Sequence, residues 1–115
     1  IYLKKIKNPK PIIKQILKQC YELDKLKINK KELTNPYKHI LVKNKKAMMI
    51  DFERCYETEN PKNVTQFSQY IMSRKITLLL KEKEFIIDKN RFKNSLKNYK
   101  SCKTKSNFSK ILRFF

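Results

Sequence analysis

The stretch HILVKNKKAMMIDFERC, residues 39–55, holds two short apolar runs, HILV (39–42) and AMMIDF (47–52), parted by the polar tetrapeptide KNKK. Runs of this length on either side of a polar turn predict a β-hairpin with a four-residue loop. Asn35-Pro36 just upstream marks a loop leading into it. The hairpin would leave Asp51 at the end of its second strand. An acidic island follows: Asp51, Glu53, Glu57 and Glu59 are four of only ten acids in the chain.

Outward from this hairpin, the apolar spacing is helical. Upstream, IYLKKIKNPK (1–10) is a lead-in broken at Pro9 and Pro11. From Pro11, which suits a first helical turn, Ile12, Ile13, Ile16, Leu17, Cys20, Leu23 and Leu26 form one face. Lys14, Gln15, Lys18 and Gln19 fall on the other side. Downstream, Asn63 with Gln66 three residues on is similar to a capping box, and Val64, Phe67 and Ile71 share a face. Residues 75–87 predict a further helix. Asp88 is a good N-cap for one carrying Phe92, Leu96 and Tyr99. After the basic connector KSCKTKS (100–106), a last short helix carries Phe108, Ile111, Leu112 and Phe115. The fold class expected is therefore α+β: predominantly helical, with one β-hairpin, in a single domain spanning 1–115. Its parts are a helix over 12–27, a loop-and-hairpin segment over 28–55, and a helical region over 60–115.

Composition narrows the function. The chain has 115 residues, 29 Lys+Arg against 10 Asp+Glu, a formal net charge of +19, and no glycine. Without glycine there is no glycine-rich phosphate loop and no nucleophile elbow in these residues. The longest apolar run is far short of a membrane span, and the chain is expected to be cytoplasmic. Cys20, Cys55 and Cys102 are odd in number and widely spaced, which speaks against a disulfide framework and for reduced thiols. With His39 as the only histidine, a structural zinc site lacks ligands. The abundance of Lys, Asn and Ile, with Ala47 the single alanine, fits a base-composition bias as well as a polyanion partner. Either way the resulting field attracts phosphate. It is densest over 89–115, where nine Lys/Arg face no acid.

A carboxylate at a strand end beside a turn is well placed to hold a divalent ion. Mg²⁺ takes one or two carboxylates together with phosphate oxygens and water. Asp51 is that carboxylate. His39, at the start of the partner strand, is the candidate second ligand.

Here the residues resemble a family. MMIDFERC resembles the strand and metal-binding Asp-Phe-Gly segment of the protein-kinase superfamily, with Glu53 in place of Gly. ELTNPYKHILV (32–42) resembles a remodelled catalytic loop. With KNVTQFSQYI (62–71) following, the chain is similar to an archaeal family of predicted Ser/Thr protein kinases related to the RIO-type kinases. The likeness covers about 12–115 and is sharpest over 32–71. It implies a protein-kinase-like C-lobe in which Asp51 binds Mg²⁺ bridging the phosphates of ATP. It sets His39 at the place of the metal-binding Asn, and Glu32 near that of the catalytic Asp. The two are seven residues apart where about five is the pattern, and Lys30 and Lys31 stand where a His would precede the acid. The glycine-rich N-lobe and its lysine are not in these residues, so a C-lobe alone is expected.

Two functions follow as expectations. One is an atypical Ser/Thr kinase acting on a protein substrate with Mg²⁺ and ATP, with Glu32 catalytic and Asp51 and His39 holding cofactor and metal. The other is a non-catalytic kinase-like module, a pseudokinase, whose lysines bind an acidic partner, RNA or a ribonucleoprotein. In that reading residues 89–115 make the nonspecific RNA contact, and neither reading involves a membrane.

Overall fold

The first helix, α1 (Lys10–Lys25), carries Pro11 in its first turn and buries Ile12, Ile13, Ile16, Leu17 and Cys20. The computed structural model describes residues 3–30, 33, 40–50, 52 and 55–115. In chain order these hold a 3-10 turn (Leu3–Lys5), α1, β1 (Ile28–Asn29), β2 (Ile40–Lys43), β3 (Lys46–Met49), β4 (Tyr56–Glu57), α2 (Asn63–Ile71), α3 (Arg74–Glu82), α4 (Lys89–Ser101) and α5 (Lys105–Leu112). The fold is α+β and mostly helical, as the apolar spacing predicts. It carries two small antiparallel sheets, β1–β4 and β2–β3.

The buried face of α1 does not continue through Leu26, which is 65% exposed. It passes instead through Asp24, one turn beyond Cys20 and buried. The helix ends with Lys27 in the left-handed region at φ 58°, its N–H donating to the Asp24 carbonyl. That is the position helices usually give to glycine.

The hairpin forms where expected but turns more tightly. Lys43 pairs with Lys46, so the loop is Asn44-Lys45 and not the four residues KNKK. Both have positive φ, 52° and 62°, the signature of a type I′ turn whose twist matches the flanking strands. β3 buries Ala47 and Met49, while Leu41 and Met48, paired across the hairpin, are exposed. The strand ends at Met49, two residues short of Asp51.

Gln15 and Gln19 do not face solvent, contrary to the amphipathic reading. Gln15 accepts from the Ala47 N–H (2.8 Å) and donates to the Lys45 carbonyl (2.9 Å). Gln19 accepts from the Met49 N–H (3.2 Å) and donates to the Ala47 carbonyl (2.8 Å). The match is metric. Four helical residues rise about 6 Å, and two strand residues advance about 6.8 Å. Amides one helical turn apart therefore meet alternate residues of a strand edge. The apolar-versus-polar pattern cannot show this, because a glutamine acting as a strand reads as a surface residue.

The helical half is closed by caps. α3 stops at Glu82 instead of running to residue 87. The Glu84 N–H donates to the Lys81 carbonyl and the Phe85 N–H to the Leu80 carbonyl, with Glu84 at φ 60°. This is a Schellman motif, and the buried Leu80 and Phe85 supply its apolar contact. Asp88 caps α4 by accepting from the Arg91 N–H, as expected. Thr104 caps α5 through the Asn107 N–H. Phe92, Leu96, Tyr99, Phe108 and Ile111 are buried, and Phe92 meets Phe114 edge-on at 5.1 Å. Cys20, Cys55 and Cys102 are all free thiols. Among the described residues no helix is long and apolar enough to cross a membrane.

Lys45 holds φ 62° at a cost in backbone strain of about 1–2 kcal/mol for a residue with a Cβ. Lys45→Gly should therefore stabilise the protein by about 0.5–1 kcal/mol, net of glycine's larger unfolded-state entropy. Urea denaturation of the two proteins measures it. A loss of stability would show that the Lys45 side chain contributes more than its backbone costs.

Candidate functional site

Residues 28–57 form a closed excursion. Ile28 pairs with Glu57 and Asn29 with Tyr56, so the chain leaves and returns through one two-stranded clasp. The Thr58 N–H donates to the Lys27 carbonyl (2.9 Å), extending it. Lys27 also meets Glu59 at 2.7 Å on an exposed face, where such pairs contribute about 0–1 kcal/mol. The clasp joins strands of two residues from sites 28 positions apart, so no periodicity signals it in the sequence.

A buried polar junction fixes the clasp to the helices. Asp24 Oδ1 accepts from the Asn63 N–H (3.0 Å) and from Asn63 Nδ2 (2.8 Å), and Oδ2 accepts from the Tyr99 hydroxyl (2.7 Å). Asn63 Nδ2 donates to the Ile28 carbonyl (2.6 Å), and its Oδ1 accepts from the Lys30 N–H (2.8 Å). Asn29 Oδ1 takes the Lys62 N–H (2.8 Å). Asn63 is thus the first residue of α2 and a core connector, not the cap of a capping box. The leading N–H groups of α2 are satisfied by Asn29 and Asp24 from elsewhere. The carboxylate sits at the positive end of that helix dipole, which favours its charge. Burial, the Asp24 bond and the Asp24 charge push the Tyr99 hydroxyl far above its usual range. Burial and then Asp24 also raise the Cys20 thiol.

Lys30, whose N–H belongs to this junction, also meets Phe52. Lys30 is buried and its Nζ lies 5.0 Å from the centroid of the Phe52 ring, a cation–π distance. The Cys55 N–H closes a turn onto the Phe52 carbonyl (3.0 Å). Leu33 and Ile40 are buried, while Phe52 is half-exposed. Glu32, His39 and Asp51, the site residues expected from the sequence, lie outside the described residues, as do Glu53 and Arg54 of the acidic island. Lys30 and Phe52, which are next to them in the chain, are brought together. Among the described residues no group of three His, Cys, Asp or Glu is placed to hold a metal ion.

The apolar spacing places Tyr99 on the buried face of its helix but does not show its bond to Asp24, and Asp24 itself goes unmarked. The available signal was a carboxylate on the apolar face of α1, which a buried network must satisfy.

No family model, no curated protein and no solved structure matches this chain.

The Asp24–Tyr99 bond makes a pH-dependent prediction. The folded state keeps Tyr99 and Cys20 protonated, whereas the unfolded chain releases these protons near their ordinary values of 10.0 and 9.0. Stability is therefore full below pH 9 and falls as pH rises past 9 and then 10, each group contributing up to about 1.4 kcal/mol per pH unit. Tyr99→Phe should lose about 1–3 kcal/mol at pH 7, because Asp24 Oδ2 is left unpaired. It should also show a shallower decline above pH 10. Urea denaturation between pH 7 and 11 tests both. A variant with the wild-type alkaline slope would contradict the placement of the Tyr99 proton.

Proposed function

We propose that this chain is the C-lobe of a protein-kinase-like domain, working in the cytoplasm on a protein Ser/Thr substrate with Mg²⁺ and ATP. The observation that supports it is the clasp with its Lys30–Phe52 contact. Glu32, His39 and Asp51 all fall between the paired Asn29 and Tyr56, and Phe52 beside Asp51 packs on Lys30 two residues before Glu32. The sequence likeness to a catalytic loop and an Asp-Phe-Gly segment needs these two stretches to be neighbours.

Asp51 suits Mg²⁺, a hard cation that prefers carboxylate and phosphate oxygens. His39 offers a softer nitrogen and is the weaker ligand. Bound there, Mg²⁺ would neutralise phosphate charge. Asp51 would hold it, and Glu32 would stand nearest the acceptor hydroxyl.

A second reading has its own support: residues 89–115, which hold α4, α5, the connector between them and the tail, carry nine cations and no acid. In it the chain is a non-catalytic kinase-like module that binds RNA, a ribonucleoprotein or an acidic partner.

The test is ATP binding to the protein followed by calorimetry, with Mg²⁺ and with EDTA. ATP should bind more tightly with Mg²⁺, and Asp51→Ala should remove that gain, at least about tenfold as for losses around a metal centre. Metal-independent ATP binding, unchanged in Asp51→Ala, would assign the affinity to net charge and end the kinase reading.

A further inference from the structure

α4 and α5 are packed against each other, and between them runs an open groove of about 450 Å³ lined by Arg91, Asn94, Ser95, Lys110, Arg113 and Phe114. Arg91, Asn94 and Ser95 are spaced i, i+3, i+4 on α4, so they share one face. Lys110 and Arg113 come from the end of α5, with Phe114 just after it, at the same spacing. Two helices thus turn matching faces toward one recess.

No acid lines it. The nearest in sequence, Asp88, accepts from the Arg91 backbone N–H at 3.2 Å. Arg91, Lys110 and Arg113 are exposed, and none takes part in an ion pair among the described residues. Three like charges around one recess repel one another, and that repulsion is relieved when an anion enters. Asn94 and Ser95 add neutral hydrogen-bonding groups between them. Phe114 is half-buried against Phe92 and gives the recess an apolar wall.

We propose that this groove seats the backbone of a single-stranded nucleic acid, with Arg91, Lys110 and Arg113 on phosphates and Phe114 beside a base. The proposal rests on the second reading above and gives it a place. A charged groove with an adjoining aromatic is what sequence-tolerant single-strand binding uses.

The experiment is fluorescence anisotropy of a labelled U12 RNA, repeated with dT12 DNA, on the 115-residue protein. Two variants of equal charge change are compared. One removes the groove cations (Arg91→Gln, Lys110→Gln, Arg113→Gln). The other removes three exposed lysines elsewhere (Lys7→Gln, Lys46→Gln, Lys75→Gln). All six are surface residues, and circular dichroism confirms that each variant folds. The groove variant should lose at least about tenfold in affinity, and its slope of log K against log salt should be shallower by about 2. The control should lose less than about threefold. RNA and DNA falling together would place recognition on the shared phosphodiester, and a loss confined to RNA would add the ribose hydroxyl.

Equal losses in both variants, with wild-type binding intact, would overturn the groove and leave only the overall field. No binding by the wild-type protein would overturn the nucleic-acid reading itself. Poly-glutamate that binds as tightly as U12, and is lost as fully in the groove variant, would assign the groove to an acidic protein and overturn the proposal.

Discussion

The architecture depends on how a single buried carboxylate is satisfied. Asp24 lies at the end of the apolar face of α1, where an isolated charge would be prohibitively costly. Three donors from two other helices remove that cost: the backbone and side chain of Asn63, and the hydroxyl of Tyr99. The same Asn63 then takes the Lys30 N–H and reaches the Ile28 carbonyl. One anion thereby sets α1, α2, α4 and the base of the loop segment in a common frame. The apolar core, with Ile13, Ile16, Phe67 and Phe108 among its residues, is held by contacts that are less directional.

Function follows from that frame because the clasp has little strength of its own. Two residues per strand contribute few ladder bonds. The clasp is supported because Ile28, Asn29 and Lys30 are tied to Lys62 and Asn63 at the start of α2. The base of the 28–57 segment is thus held by the helical core. This is why the phosphoryl-transfer reading and the polar junction belong together, although no proposed ligand is itself part of the junction. The basic groove rests on the α4–α5 packing about Phe92 and Phe108, and α4 is itself tied to the junction through Tyr99.

The helices were legible in the sequence because Ile, Leu and Phe recur at helical spacing and because Asp88 is a cap by its chemistry. The hairpin was legible from two short apolar runs. Its tight turn carries no signal, because no glycine marks the positive φ of Asn44 and Lys45. The end of α3 was misjudged for the same reason at Glu84. β1 and β4 are too short to carry a pattern and pair across a long separation. Asn63 was read as a local cap because its partners, Asp24 and Lys30, are far away in sequence. Of the candidate site, the sequence supplied Glu32, His39 and Asp51, and the structure supplied their tethered neighbours, Lys30 and Phe52. Arg91, Lys110 and Arg113 were visible only as part of a charged tail. Their convergence is a property of helix packing, which composition does not encode.

The glutamines of α1 have a consequence for how the molecule behaves in a crowd. A two-stranded ribbon ordinarily offers an open row of amides and carbonyls on each side, an invitation to intermolecular strand addition. Gln15 and Gln19 occupy the row along β3, so their side chains act as a built-in third strand that cannot recruit a fourth. Positive charge then guards the turn, since Lys43, Lys45 and Lys46 crowd its tip. A glycine-free, lysine-rich chain thereby closes the β3 side of its small ribbon to strand addition, using one helical turn of amide side chains in place of another strand.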